Sequence, residues 1–251
     1  MTALMPGAEP WTFSPPAVGA LCLHGFTGHP GSMRGVAEAF ARAGFAVELP
    51  RLPGHGTNIG DMLGTTFADW AAEADAAYER LAARCDRVVV AGLSMGGTLA
   101  LWLASRRPDV TGLVCINPPT QPQPDEVLDM VRGMADEGEV LLPGGGSDIA
   151  DPDAVDAGYE GTPLLPLLTL QAALAELEPQ YASIQCPLLL VTSRHDHVVD
   201  PAQSDALAAV YGGPVERLLL EHSYHVATLD FDRDLVIERA VAFGRRVVAG
   251  A

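Results

Sequence analysis

The sequence predicts an α/β domain with a mostly parallel sheet covered by helices on both faces. Three observations carry that expectation. Short apolar runs of strand length alternate along the chain with longer segments of helical period. The runs are continuous rather than alternating, as strands buried on both faces require. And 48% of the 251 residues are hydrophobic against 19% charged, which suffices for one large core and argues against disorder.

Taken in order, residues 18–23 (VGALCL) read as a first strand and 32–43 as the helix that follows it. Residues 45–49 read as a second strand and 67–84 as a second helix. The β-branched run at 87–91 leads through Gly92-Leu93-Ser94-Met95-Gly96-Gly97 into a helix over 98–105. Residues 111–116 are a further strand. Later come a strand at 188–192, a helix at 202–211, a strand at 215–220 and a closing helix over 229–248.

One interval breaks this rhythm. No convincing sheet strand is found between Pro118 and Gln180. That stretch opens with a proline-rich run from Pro118 to Pro124, carries a Pro143-Gly144-Gly145-Gly146 turn, and then holds a leucine-rich segment over 164–177. It reads as a small cap, residues 118–180, inserted into a core domain of residues 1–117 and 181–251. Ligands of open α/β sheets bind at the carboxyl ends of the strands, so an insertion there would cover the active site.

Composition excludes several functions. The net charge of −17 repels phosphate backbones and anionic headgroups, so neither nucleic-acid binding nor electrostatic membrane docking is expected. All 15 basic residues are arginine, which removes Schiff-base, phosphate-loop and Ser–Lys chemistry. Cys22, Cys85, Cys115 and Cys186 are dispersed without CxxC spacing and read as buried reduced thiols. The first 16 residues lack the pattern of a signal peptide, and no apolar stretch reaches membrane-spanning length, so a cytoplasmic protein is expected.

Gly92-x-Ser94-x-Gly96 between a β-branched strand and a helix is the context of a nucleophile elbow. Its glycines let the chain turn sharply with serine at the tip, and the following helix aims N–H groups at a developing oxyanion. This makes Ser94 the expected nucleophile of an α/β-hydrolase fold. A serine hydroxyl needs a base and the base an orienting carboxylate, in the chain order Ser, Asp or Glu, His. After the strand at 188–192 comes Ser193-Arg194-His195-Asp196-His197-Val198-Val199-Asp200. Asp200 precedes Pro201 and reads as a helix cap, so Asp196 at the loop tip is preferred. After the strand at 215–220 come His222 at the strand end and His225 deeper in the loop, and His225 is preferred. His195 and His197 beside Asp196 lack the partners of a metal site, so no metal or other cofactor is expected. His24-Gly25-Phe26-Thr27-Gly28 follows the first strand. The Phe26 and Met95 amides are expected to form the oxyanion hole, with His24 as a buttress rather than a proton carrier.

With these blocks the sequence resembles the bacterial monoacylglycerol lipases and the small carboxylesterases allied to them. The likeness rests on residues 24–28 (HGFTG), 49–57 (LPRLPGHGT), 92–98 (GLSMGGT), 196–199 (DHVV) and 223–230 (SYHVATLD). The resemblance implies Ser94, Asp196 and His225 as the triad and a metal-free enzyme whose cap binds the acyl chain and a glycerol head. It further implies that a cap carboxylate holds the glycerol diol. The local register of Ser147-Asp148 and Pro152-Asp153 puts Asp156 at that position, where the family has glutamate. Asp156 also has a plain reading as one more solvated cap charge.

The expected reaction is two-step hydrolysis of a carboxylic ester, a small and neutral one such as a monoacylglycerol or a short-to-medium-chain acyl ester. The rivals are cleavage of another bond on the same fold (thioester, amide or carbon–carbon) and a ligand-binding receptor on a hydrolase scaffold. The leucines of the cap segment, Leu167 and Leu170 among them, are expected either to line the acyl site or to pack the cap helix. The cap interval holds thirteen acidic residues and one basic, Arg132, and so carries most of the chain's net charge.

Overall fold

The computed structural model of the chain describes residues 2–14, 17–143 and 147–250. Its elements in chain order are β1 (Trp11–Phe13), β2 (Ala17–Leu23), α1 (Arg34–Arg42), β3 (Ala46–Leu49), α2 (Ile59–Met62), α3 (Phe67–Ala82), β4 (Cys85–Leu93), α4 (Met95–Arg106) and β5 (Val110–Ile116). There follow α5 (Asp125–Asp136), β6 (Leu141–Leu142), β7 (Thr162–Pro163), α6 (Leu164–Leu177), β8 (Leu188–Ser193), α7 (Ala202–Val210), β9 (Val215–Leu220) and α8 (Arg233–Gly250).

Seven strands form one sheet in the order β1-β3-β2-β4-β5-β8-β9. All neighbours are parallel except β1, which runs antiparallel against β3 at the edge. Successive strand residues divide between two cores, as a pleat of period two demands. Leu21, Leu23, Val88 and Val90 pack with Trp70, Tyr78 and Leu99 on one face. Ala20, Cys22, Val89 and Ala91 pack with Phe40, Phe45, Val236 and Phe243 on the other. Each fully buried leucine or valine contributes about 1.5–3 kcal/mol, so the continuous apolar runs predicted as strands are where both cores are made. The connection leaving β2 leads to β3 on one side, whereas that leaving β4 leads to β5 on the other. The sheet therefore splits its loops between β2 and β4, the crevice where open α/β sheets bind ligands.

Several features depart from the sequence-based expectation. The antiparallel edge strand β1 is short and exposed on one side, and it was not anticipated. The helix expected from residue 32 begins as a 3₁₀ turn, Pro30–Met33, and becomes α-helical at Arg34. The closing helix begins at Arg233 rather than at 229, because residues 230–232 form a turn of their own. There the Asp230 and Asp232 carboxylates accept backbone N–H groups of Tyr224, Phe231, His222 and Ser223. The interval 118–180 adds no strand to the main sheet. It holds α5, α6 and a two-stranded ribbon, β6 with β7, that the sequence did not signal. Of the glycine turn expected at 143–146, residues 144–146 lie outside the described residues. All four cysteines are free; Cys22, Cys85 and Cys115 are buried and Cys186 is half-buried.

Candidate active site

The elbow between β4 and α4 is enforced by contacts that only glycine permits. A Cβ on Gly92 would stand 2.0 Å from the Gly96 carbonyl oxygen, and one on Gly96 would stand 2.1 Å from that of Leu23. Ser94 adopts φ 54°, ψ −124°, a strained turn that points its side chain off the sheet's carboxyl edge. Its N–H donates to the Ile116 carbonyl at 2.8 Å, which ties the tip to the neighbouring strand β5.

Two later loops converge on this serine. His225 Nε2 lies 2.8 Å from Ser94 Oγ, and His225 Nδ1 lies 2.8 Å from Asp196 Oδ2. The Asp196 side chain is 2% exposed and its other oxygen accepts the Val198 and Val199 N–H groups, both at 2.8 Å. Three residues separated by up to 131 positions thus form a continuous line of hydrogen bonds. Asp200 accepts instead from the Ala202 N–H at 2.9 Å in the first turn of α7, and His222 is exposed with its N–H donating to Asp232. His195 is exposed as well. Among the described residues no group of three or more His, Cys, Asp or Glu is placed to hold a metal ion.

Phe26 lies in the loop after β2, where Gly25 approaches the elbow so closely that a Cβ would stand 3.3 Å from Ser94 Cβ. Met95 opens α4 and is buried. Beneath the loop, His24 is fully buried. Its Nε2 accepts the Leu52 N–H at 3.1 Å, so Nδ1 carries the proton and donates to the Gly25 carbonyl at 3.0 Å. Burial holds His24 well below the usual histidine range, and His55 beside it is pushed down to about 4 by the same cause. The His24, His55, Phe26 and Trp70 rings meet edge to face at 5.0–6.5 Å, which packs the loop from below.

Ser94 and His225 open into a cavity of about 340 Å³. Phe26, Leu93, Val198 and Val226 give it an apolar side. Ser147, Asp156 and Glu160 from the 118–180 interval face them. Asp156 Oδ2 accepts the Ser147 hydroxyl at 3.0 Å, while its buried Oδ1 has no partner among the described residues. Leu167 and Leu170 are not among the residues lining this cavity; Leu170 is buried in the core cluster with Leu174 and Leu177.

Four further positions that brace the site are not marked by the sequence. Asp148 accepts the His225 and His197 N–H groups. Asn117, at φ 47°, donates to the His225 carbonyl at 2.8 Å. Tyr159 joins residues 54–57 to the cavity rim, accepting from Thr57 N–H and donating to the Gly54 carbonyl, both at 2.9 Å. The fully buried Asp230 accepts from Ala150, Asp151 and Tyr224. Asp230 sits within the SYHVATLD block and Asp148 beside the register of Asp156, but nothing local distinguishes them from solvated acids.

Comparison with known proteins adds four relations. Residues 21–142 match the alpha/beta hydrolase fold family. The chain is 43% identical over 243 residues, 96% of its length and 95% of the relative's, to a thermostable monoacylglycerol lipase of Bacillus sp. (strain H-257). It is 27% identical over 94% of its length and 95% of the relative's to a carboxylesterase of Bacillus subtilis (strain 168). Among solved structures, one described for the metagenome-derived lipolytic enzymes LipS and LipT superposes with a TM-score of 0.92 at 40% identity, covering 97% of this chain and 100% of that one.

Proposed function

Because the chain belongs to the monoacylglycerol lipase and small carboxylesterase family of the α/β-hydrolase fold, and is a carboxylic ester hydrolase, we propose that its substrates are neutral monoesters of glycerol with short-to-medium acyl chains. One observation carries this reading: Asp156, whose buried Oδ1 finds no donor among the described residues, lines the same cavity as Ser94. A buried carboxylate oxygen without a donor is costly, and a substrate hydroxyl would relieve it. Asp156 is one methylene shorter than the family's glutamate, and the Ser147 hydroxyl beside it supplies a second polar contact for a diol. At about 340 Å³ the cavity is at the small end for ligand sites, which favours a short acyl chain.

In the proposed reaction Ser94 Oγ attacks the ester carbonyl while His225 Nε2 takes its proton. Asp196 holds the imidazole with Nδ1–H directed at its carboxylate and stabilises the imidazolium that forms. The Phe26 and Met95 amides receive the oxyanion; losing one such donor costs about 3 kcal/mol in other enzymes. The alcohol leaves with the proton from His225, and water activated by the same histidine then releases the acid. The core of residues 1–117 and 181–251 carries the triad in this reading, and residues 118–180 form the cap that supplies Asp156.

The test compares a monoacylglycerol with the ethyl ester of the same acid. Ser94→Ala should abolish turnover of both. Asp156→Ala should lower kcat/KM for the monoacylglycerol by about tenfold or more, the worth of a hydrogen bond to a charged group, and leave the ethyl ester unchanged. Equal loss on both esters would remove Asp156 from alcohol recognition, and residual turnover by Ser94→Ala would move the nucleophile elsewhere.

A further inference from the structure

We propose that Asp148 is a positioning residue for the catalytic base, a role that rests on the triad proposed above. The observation is a single carboxylate oxygen shared between two loops. Asp148 Oδ2 accepts the N–H of His225 at 3.1 Å and the N–H of His197, the residue next to Asp196, at 3.0 Å. Asp148 Oδ1 lies 2.8 Å from His197 Nδ1, and the Asp148 carbonyl accepts the Val226 N–H at 3.1 Å. Its side chain is only 15% exposed although it belongs to the inserted interval rather than to either loop.

The consequence is geometric. The loops carrying the base and its orienting carboxylate leave different strands, β9 and β8, and must agree in position for His225 Nδ1 to meet Asp196 at 2.8 Å. Asp148 ties the backbone of one to the backbone of the other through one atom. From the opposite side, Asn117 Nδ2 donates to the His225 carbonyl, so the base is held at both its N–H and its C=O. The His197 ring packs edge-on against Tyr224 at 4.5 Å, which steadies the same corner. Without the carboxylate, two amides lose their acceptor and the loops can separate. Asp148 lines the cavity, but both its carboxylate oxygens are engaged by His225 and His197 and neither meets the reacting nitrogen, so its effect should fall on the chemical step rather than on substrate affinity.

The test uses the full chain with Asp148→Ala and Asp148→Asn, measuring kcat and KM on p-nitrophenyl butyrate, the rate of Ser94 labelling by diethyl p-nitrophenyl phosphate, and the melting temperature. Asp148→Ala should lower kcat and labelling together, by up to about a hundredfold if the imidazole shifts by about 1 Å, with KM within about twofold. Asp148→Asn keeps one oxygen for both amides and should recover most of the loss. A folded Asp148→Ala variant with wild-type kcat, or one that raises KM at constant kcat, would overturn the proposal. Should the alanine variant not fold, Asp148→Ser takes its place and the same split is required. Ser94→Ala run alongside separates the two readings. If it still turns over, the triad is wrong; if it is inactive while Asp148→Ala is normal, only the positioning role fails.

Discussion

The loop after β2 is held by two buried histidines that act as neutral rings. His24 can accept the Leu52 N–H and donate to Gly25 only as a neutral ring, and His55, equally buried, spans the Pro53 carbonyl and the aromatic edge of Phe26. Burial lowers both below the unfolded value of 6.5, His55 to about 4. The unfolded chain therefore takes up protons between pH 6.5 and 4 that the folded chain refuses. Stability rises with pH across that window and is lost as pH falls through it, and for His55 alone the change is on the order of 3 kcal/mol. Urea unfolding from pH 7 to 4 should show this slope, with His24 adding in the same direction. The slope should flatten in His55→Phe, which cannot titrate. An unchanged slope in that variant would mean that His55 does not contribute to the acid limit.

At the scale of elements, the leucine-rich helix α6 shows how a uniform pattern can hide a division of labour. Its leucines are alike in sequence, yet Leu164, Leu170 and Leu174 are buried, Leu167 and Leu168 are half-buried and Leu165 is 61% exposed. α6 packs against α3, α4, α5 and the turn after it, with Leu170 and Leu174 in the core cluster and neither lining the cavity. Leu170→Trp should therefore overpack the core, costing about 1–3 kcal/mol of stability, and lower turnover evenly from p-nitrophenyl acetate to laurate. Leu167→Trp, which meets a looser site, should be milder. A loss confined to the long chains would instead make α6 a wall of the acyl site.

At the scale of the molecule, charge is distributed unevenly. Residues 118–180 hold thirteen acids and one arginine in a chain of net charge −17, and Asp148, Asp156 and Glu160 among them border the cavity. An anionic ester would approach against this field, whereas a neutral monoester would not. Such fields are screened over about 10 Å at 0.1 M salt. Neutral esters should thus exceed acyl-CoA or lysophospholipids of matched acyl length in kcat/KM, and the ratio should shrink as salt rises from low to high ionic strength. A ratio independent of salt would leave the acidic surface with solubility as its only consequence.

Much of the site was legible because its chemistry is local. The turn at Ser94 needs glycine at 92 and 96 wherever the chain goes next, since the clashes there are with backbone of the elbow itself and of the adjacent strand. The loops after β8 and β9 announced Asp196 and His225 by lying between an apolar strand and a helix, and their competitors Asp200 and His222 were separable by position. Nothing local could reveal what steadies them. Asp148 reaches His225 across 77 residues and His197 across 49, and Asp230 reaches Ala150 across 80. An aspartate in a polar segment reads as a solvated charge until the fold brings backbone amides to it. The sequence by itself determined the parallel strands of the sheet, the glycine elbow and the chain order of Ser94, Asp196 and His225, because these follow from periodicity and short-range sterics. Only the tertiary structure decided which acids of residues 118–180 accept the backbone N–H groups of His225 and His197, which of them border the cavity, and which leucines are core, because those placements depend on what lies opposite.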